Sequence, residues 1–367
     1  MWIGERWCGM CSFDYHRLGD CLWDGEVVSL LSQIHEYKGR QDLFVSQRPS
    51  SVLRLVEIAK VQSVESSNRI EGIVTTKARI RSLVADKVIP RNRDEEEIMG
   101  YRDVLNTIHE NYEYITLHSN IVLQLHRDLY AYSHKSIGGQ YKNVQNSIIE
   151  RLADGREVER FKPLAPYETP AAIDEICQGV NAVLQDKSVD PLLVIPVFIH
   201  DFLCIHPFND GNGRMSRLLT TLLLYQNGYM IGKFISLEQK IERTKDSYYA
   251  ALGESGIDWH RGEENIVPFV KYMLRVILAA YRDFESRIEL LTTSLCAKDR
   301  IKIIISATIG KVTKAGILEK QPDIAVSTVE KALKELVEEG FIERRGAGRS
   351  TFYIKTLQKI NFHTKYI

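Results

Sequence analysis

The chain reads as mainly α-helical, with one small β-hairpin set into a helical body and a helix-plus-hairpin module at its C-terminus. Three observations lead there. Apolar residues recur at helical spacing through most of the chain up to Leu295. Gly138-Gly139 and Asp154-Gly155 bracket a stretch rich in Asn, Val and Ile, and Asp-Gly is a strong hairpin-turn signal. The pattern shortens after Lys298 and ends in two short β-prone runs around glycines.

From Val27 to Ile98 the spacing is mostly helical: Val52, Leu55, Val56 and Ala59 share a face, with Arg54, Glu57 and Lys60 between or beyond them. Further helices are expected over Asp94–His109, Ser119–Ala131 and Tyr167–Leu184, with the hairpin over 141–161. Arg214–Gly228 and Asn265–Leu295 continue the helical pattern, Pro268 being tolerated in a first turn. Beyond Lys298, Ile301–Ile309 and Thr313–Lys320 read as short helices. Ser327-Thr-Val-Glu330 reads as a capping box for a third, which stops at Gly340. Strands at Phe341–Arg345 and Thr351–Lys355 flank Gly346-Ala-Gly-Arg349, and three helices with such a hairpin resemble a winged helix-turn-helix domain.

A chain of 367 residues exceeds a typical single domain and can bury a sizeable core. Its 44% apolar and 26% charged residues match a globular protein, and zero formal net charge favours no class of partner. The longest apolar stretch, Leu192–Ile199, is interrupted by Pro196 and falls short of the ~20 residues a bilayer requires, so no membrane partner is expected. The start lacks the basic and apolar regions of a secretory signal, which makes a cytoplasmic address and reduced thiols the expectation. Cys8, Cys11, His16 and Cys21 have the spacing of a zinc knuckle but lack the usual surrounding glycines, leaving a packing segment as the alternative.

The chemistry concentrates in His206-Pro-Phe-Asn-Asp-Gly-Asn-Gly-Arg-Met-Ser-Arg217. Gly211, Asn212 and Gly213 ahead of a helix offer backbone N–H groups at a helix N-terminus, where donors and dipole together favour a phosphate. Arg214 and Arg217, three apart, add planar donors for further phosphate oxygens. Asp210 would repel phosphate unless a divalent cation bridged them, which points to Mg2+ with a nucleotide. His206 can accept a proton near neutral pH, and Phe208 would anchor the loop in the core. Singly, each residue has an ordinary structural explanation; together they describe phosphoryl or nucleotidyl transfer.

Every defining position of the Fic-family signature, H-x-F-x-[DE]-G-N-G-R-x-x-R, is filled by His206, Phe208, Asp210, Gly211, Asn212, Gly213, Arg214 and Arg217, so the chain resembles that family. The resemblance implies a helical Fic core that transfers AMP from ATP to a Ser, Thr or Tyr hydroxyl of a target protein, itself included. His206 would be the base, Asp210 the Mg2+ ligand and Gly211–Arg217 the phosphate cradle. The Doc-type kinases, which usually carry Lys at the position of Gly213, fit less well. A hairpin flap in the family aligns the target by strand addition. Tyr248 and Tyr249 resemble a position near the nucleotide base, with core packing as the alternative.

Upstream, Ser67-Asn-Arg-Ile-Glu71-Gly72 resembles the family's inhibitory motif, [ST]-x-x-x-E-[GN]. Ser67 and Glu71 lie on one helical face, and Gly72 can end that helix. The resemblance implies that Glu71 pairs with Arg217 and forces ATP into an unproductive pose, and that Glu71 could also position water to remove AMP. The other possibility is that Glu71 is a solvated surface acid.

The expected division is an N-terminal helical region with the inhibitory motif at 1–110, a Fic core at 111–296 and a winged-helix domain at 297–367. The last part carries six more Lys and Arg than Asp and Glu, compatible with DNA, although Glu330, Glu335, Glu338 and Glu339 on its third helix oppose phosphate. Arg344, Arg345 and Arg349 are the better DNA-contact candidates. The competing class is therefore a DNA-binding regulator whose Fic domain senses nucleotide, with a protein-interaction or homodimer module as the plainer option.

Overall fold

A computed structural model of the chain describes residues 13–47, 49–134, 136–151, 157–292, 296–308, 310–321 and 324–356. The N-terminal helices are α1 (Gly25–Gln47), α2 (Pro49–Ile70), α3 (Lys77–Val84), α4 (Arg93–Asn111) and α5 (Ser119–Leu129). After a hairpin of β1 (Ile148–Arg151) and β2 (Glu157–Phe161) come α6 (Thr169–Asp186), α7 (Pro191–Ile205) and α8 (Asn212–Gln226). The short helices α9 (Ile231–Phe234), α10 (Leu237–Arg243) and α11 (Lys245–Ser255) lead into the long α12 (Val267–Thr292). The C-terminal part holds α13 (Ala297–Ala307), α14 (Lys314–Lys320), α15 (Val326–Glu338), β3 (Ile342–Arg345) and β4 (Phe352–Lys355).

The mainly helical expectation holds. One hydrophobic core runs from Tyr15 to Ile288, and a smaller one gathers Ile301, Ile305, Ile317, Val329, Leu333 and Ile342. At the centre of the first lies α7, buried at every position from Leu192 to Ile205 and packed against α6, α8 and α12. A helix apolar on all sides belongs in an interior, and it shows no amphipathic period to read from sequence. Pro196 removes one N–H from α7, and the surrounding packing carries the helix through. No described helix is long and apolar enough to cross a membrane.

Within α7, the buried Asp201 accepts hydrogen bonds from the Tyr15 hydroxyl and the Trp259 indole N–H, both at 2.8 Å. Burial pushes its carboxyl up to about 7, with the two hydrogen bonds pulling it down and Glu264 pushing it up. An unfolded aspartate titrates near ~3.9, so the folded value is raised. The stabilisation linked to Asp201 is therefore fully present below about pH 4 and lost as pH rises through about 7. Thermal unfolding across this range should show the parent losing ground relative to Asp201→Asn as pH rises; a constant difference would exclude the linkage.

Helix α2 contributes Val52, Leu55, Ala59, Val64 and Ile70 to the core and packs against α10, α4 and α9. Its end is fixed: Lys245 Nζ donates to the Ile70 carbonyl (2.7 Å), Arg69 pairs with Glu242 (2.9 Å), and Gly72 takes a positive φ of 81°. Arg243, at the end of α10, pairs with Glu319 of α14.

Two expectations need correction. Strand pairing covers 148–151 and 157–161 rather than all of 141–161, because the preceding segment is tied to the end of α7. There Lys142 donates from its N–H to Pro207 O and from Nζ to Ile205 O, each at 2.8 Å. Asp154-Gly155 lies outside the described residues. Ser327 does not cap α15, which already begins at Val326 with Ala325 at the cap position. The other C-terminal elements follow the expected order: Thr313 caps α14 through Oγ1 to Gly316 N–H (3.1 Å), Gly340 has φ 69°, and β3 pairs antiparallel with β4.

Of the N-terminal cysteine set, Cys8 and Cys11 lie outside the described residues. His16 has both ring nitrogens on carboxylates, Nδ1 at 3.1 Å from Asp14 and Nε2 at 2.7 Å from Asp186, while Cys21 Sγ donates to Arg17 O.

Candidate functional site

The chain leaves α7 through His206, whose φ of 52° and ψ of 63° place a non-glycine residue in the left-handed region. Its N–H still donates to Phe202 O (2.9 Å), so the turn ends the helix with the imidazole at its tip. Phe208, fully buried, holds the next turn in the core as expected. Asn212 closes that turn twice, accepting from Phe208 N–H at 2.9 Å and donating to Phe208 O at 2.7 Å. The motif asparagine is thus engaged with its own loop. Gly211 has φ 87°, and a Cβ there would crowd the Tyr130 hydroxyl at 3.0 Å, so both conformation and space call for glycine. Helix α8 then starts at Asn212, with its first backbone donors at the loop.

The two arginines diverge, contrary to the expectation of one shared face. Arg214 is 1% exposed and reaches toward α4 and α5, where Nη2 donates to the Tyr130 hydroxyl (2.7 Å) and pairs with Glu97 (2.8 Å). Its buried Nε and Nη1 find no hydrogen-bond partner among the described residues, a donor surplus suited to an anion. Arg217 turns to α2 instead. Its Nε donates to Ser67 Oγ (2.8 Å), and Nη2 donates to Ser67 O (3.0 Å) and Glu71 Oε1 (2.8 Å). Burial pulls the Arg217 guanidinium down, and Glu71 with the Tyr101 and Tyr248 phenols more than offsets this, leaving it above its ordinary value.

Glu71 is a partly exposed acid that is nonetheless paired with the buried Arg217. Its carboxylate sits over the start of α8, where a Cβ added to Gly213 would collide with Oε1. A side chain one residue beyond α2 thus lies over the helix start that the sequence marks for phosphate, paired with Arg217.

His206 Nδ1 lies 3.3 Å from the Leu203 carbonyl, which can only accept; the hydrogen is on Nδ1 and the lone pair on Nε2. Burial holds the imidazole down at about 4, helped by the Lys142 charge and opposed by the Leu203 contact and Glu71, so the ring is neutral at physiological pH. Burial also pushes Lys142 down, to about 8.

The Asp210 carboxylate is partly exposed, with Oδ1 3.9 Å from Arg214 and Oδ2 4.0 Å from Arg93. No group of three or more His, Cys, Asp or Glu suited to hold a metal exists among the described residues. A partly exposed carboxylate beside an anion cradle fits Mg2+, which binds through one or two carboxylates plus phosphate oxygens.

Tyr248 and Tyr249 differ in burial. Tyr248 is buried against Phe269 and Tyr272, and burial raises its phenol; Tyr249 is 46% exposed, beside Lys245. The Arg217 and Glu71 charges act on both phenols.

Four residues beside the site went unread in the sequence: Glu97, His126, Tyr130 and Lys142. Glu97 and Tyr130 receive Arg214, and Lys142 ties the segment ahead of the hairpin to the end of α7. His126 contacts the Asp210 main chain. The available signal was a histidine, a tyrosine and a lysine around Gly138-Gly139, ahead of the hairpin in sequence.

Residues 115–224 match the model of the Fic/DOC family. A protein adenylyltransferase Fic from Nematostella vectensis is 24% identical over 236 residues, 60% of this chain and 48% of the relative. The protein adenylyltransferase fic-1 of Caenorhabditis elegans is 23% identical over 255 residues, 67% and 45% respectively. The chain thus spans less than half the length of these relatives. Among solved structures, a Fic family protein from Desulfovibrio desulfuricans G20 has the same fold, with a TM-score of 0.61 at 20% identity over 92% of this chain and 97% of that one. A Fic domain containing signaling protein from Bacteroides thetaiotaomicron superposes with a TM-score of 0.57 at 22% identity, over 71% and 95%. With the signature complete at the junction of α7 and α8, the chain carries a Fic/DOC-family domain.

Proposed function

We propose that the protein is an adenylyltransferase that moves AMP from ATP to a Ser, Thr or Tyr hydroxyl of a target protein, restrained in cis by Glu71. The observation that carries this reading is the Glu71 carboxylate, paired at 2.8 Å with Arg217 over Gly213: an internal anion held in an anion cradle beside a neutral histidine. His206 Nε2 takes the proton of the attacking hydroxyl. The hydroxyl oxygen bonds to the α-phosphorus, the bond to the bridging oxygen of the β-phosphate breaks, and pyrophosphate leaves. The α8 N-terminus and Arg217 bind phosphate oxygens, and the unpartnered donors of Arg214 supply further capacity. Asp210 would hold Mg2+, which supplies charge neutralisation and orientation to the phosphates when bound. Tyr249 flanks the nucleotide. The β1–β2 hairpin offers an edge to which an extended target segment can add as a strand.

The C-terminal helices and hairpin we read as a winged helix that docks protein rather than DNA. Lys298, Lys314 and Arg345 each pair with a carboxylate of the same module, which lowers the positive charge a DNA backbone would meet.

Incubation with Mg2+ and ATP labelled at either the α- or the γ-phosphate tests the main reading. Label from the α-phosphate should stay on protein. Retention of γ-label instead would make the reaction phosphorylation, and retention of neither with any added lysate would move a nucleotide-sensing regulator to the front.

A further inference from the structure

We propose that His126 is a positioning residue, whose ring fixes the foot of the hairpin and the Asp210 loop in one relation to each other. The inference rests on the reading that Asp210 serves Mg-ATP. The imidazole is fully buried on α5 and uses both nitrogens. The Gly139 N–H donates to Nδ1 at 3.0 Å, and Nε2 lies 3.0 Å from the Asp210 carbonyl. An amide N–H can only donate and a carbonyl can only accept, so the tautomer follows: a bare Nδ1 and a hydrogen on Nε2.

The ring is also held in plane. It stacks on Phe208 with centroids 3.6 Å apart and planes 3° from parallel, and meets Tyr130 edge-on at 5.1 Å. Gly139, at φ 73°, is pressed close on α5; a Cβ there would come within 3.0 Å of Arg127 Cβ and 3.2 Å of Leu123 O. One rigid plane thus spans two segments 71 positions apart in sequence, Gly139 before the hairpin and Asp210 in the loop. A histidine that merely filled space would need neither polar contact, and an apolar ring would serve as well. The two contacts instead set how far the hairpin stands from the carboxylate that faces the phosphates.

Amide side chains can separate the two halves of this link. Asn places an acceptor near Nδ1 but cannot reach Asp210, whereas Gln places a donor near Nε2 and lacks the Nδ1 acceptor. Both substitutions are made in a Glu71→Gly chain so that the cradle is open. His126→Asn should raise the Mg2+ concentration for half-maximal ATP binding by about tenfold, the scale on which outer-shell partners tune metal affinity. This is read by calorimetry without turnover, and exchange of the Gly139 amide should stay slow. His126→Gln should leave the Mg2+ requirement within about twofold of the parent and speed Gly139 amide exchange by at least tenfold, since that amide loses its acceptor. Each variant carries its own arm, so either one that folds decides the matter. Equal shifts of both readouts in both variants would reduce His126 to packing, and no shift in either would also overturn the proposal. Absence of AMP transfer in the Glu71→Gly parent would overturn the adenylyltransferase reading, while Mg2+-dependent ATP binding and exchange would still decide the positioning role.

Discussion

Replacing Glu71 with glycine should raise AMP transfer by about ten- to a hundredfold, measured as α-phosphate label retained on protein at Mg-ATP well below saturation. A hydrogen bond to a charged group contributes ~1.5–3 kcal/mol, which corresponds to that range when an incoming phosphate must displace it. The carboxylate accepts from Arg217 Nη2 and covers Gly213, so its removal returns both a guanidinium donor and the helix start to the nucleotide. Glycine also removes the side chain without touching Ser67, which continues to hold Arg217 through Nε. Glu71→Gln is the informative companion: it keeps the bulk but loses the charge, and should fall between parent and glycine. Unchanged transfer in Glu71→Gly would remove the restraint from the reading.

His206→Ala should lower transfer by about 10²- to 10⁴-fold, the usual contribution of a positioned general base. ATP binding in the same variant, read by calorimetry, should stay within about threefold, because the phosphate contacts come from α8 and the arginines. The pH profile carries the second half of the prediction. Burial holds the ring at about 4, so the inactive, protonated form gathers only as pH falls through about 4. Transfer should therefore be flat from about pH 6 to about pH 8, where an unperturbed histidine titrating near ~6.5 would give a slope. Such a slope would mean that the base is solvated in the nucleotide complex or is a different residue.

The helices with one apolar face were legible because their period is visible: α4, α5 and α12 fall close to the expected spans. Helix α7 was not, since burial on all sides removes the polar half of the pattern and Pro196 reads as a break. Helices α9 and α10 are too brief to establish a period, and α11, as long as α5, buries only Tyr248 and Ser255 and so presents no apolar face to read. At the site, the backbone features were plain in the motif itself. Gly211 is called for by its φ of 87° and by the Tyr130 hydroxyl, whereas a Cβ at Gly213 would meet the tip of the Glu71 side chain; Tyr130 and Glu71 are both distant in sequence. Side-chain direction was harder to read. Arg214 and Arg217 look equivalent at a spacing of three, and only the placement of Glu97 and Ser67 sends one toward α4 and the other toward α2. His126 was invisible because its meaning lies in partners distant in sequence.

Helix α2 is anchored along its length by Val52, Leu55, Ala59 and Val64 and pinned at its last carbonyl by Lys245. Wholesale departure of such a helix would expose the core, so the proposed restraint would not be lifted like a detachable plug. What can move cheaply is the Glu71 side chain itself, one residue beyond the pinned turn and a third exposed. Release then amounts to a rotamer change contested by nucleotide. On the proposed reading, output would be graded like a throttle, rising with the ratio of ATP to its competitors in the cradle rather than waiting for a partner to pull a domain away.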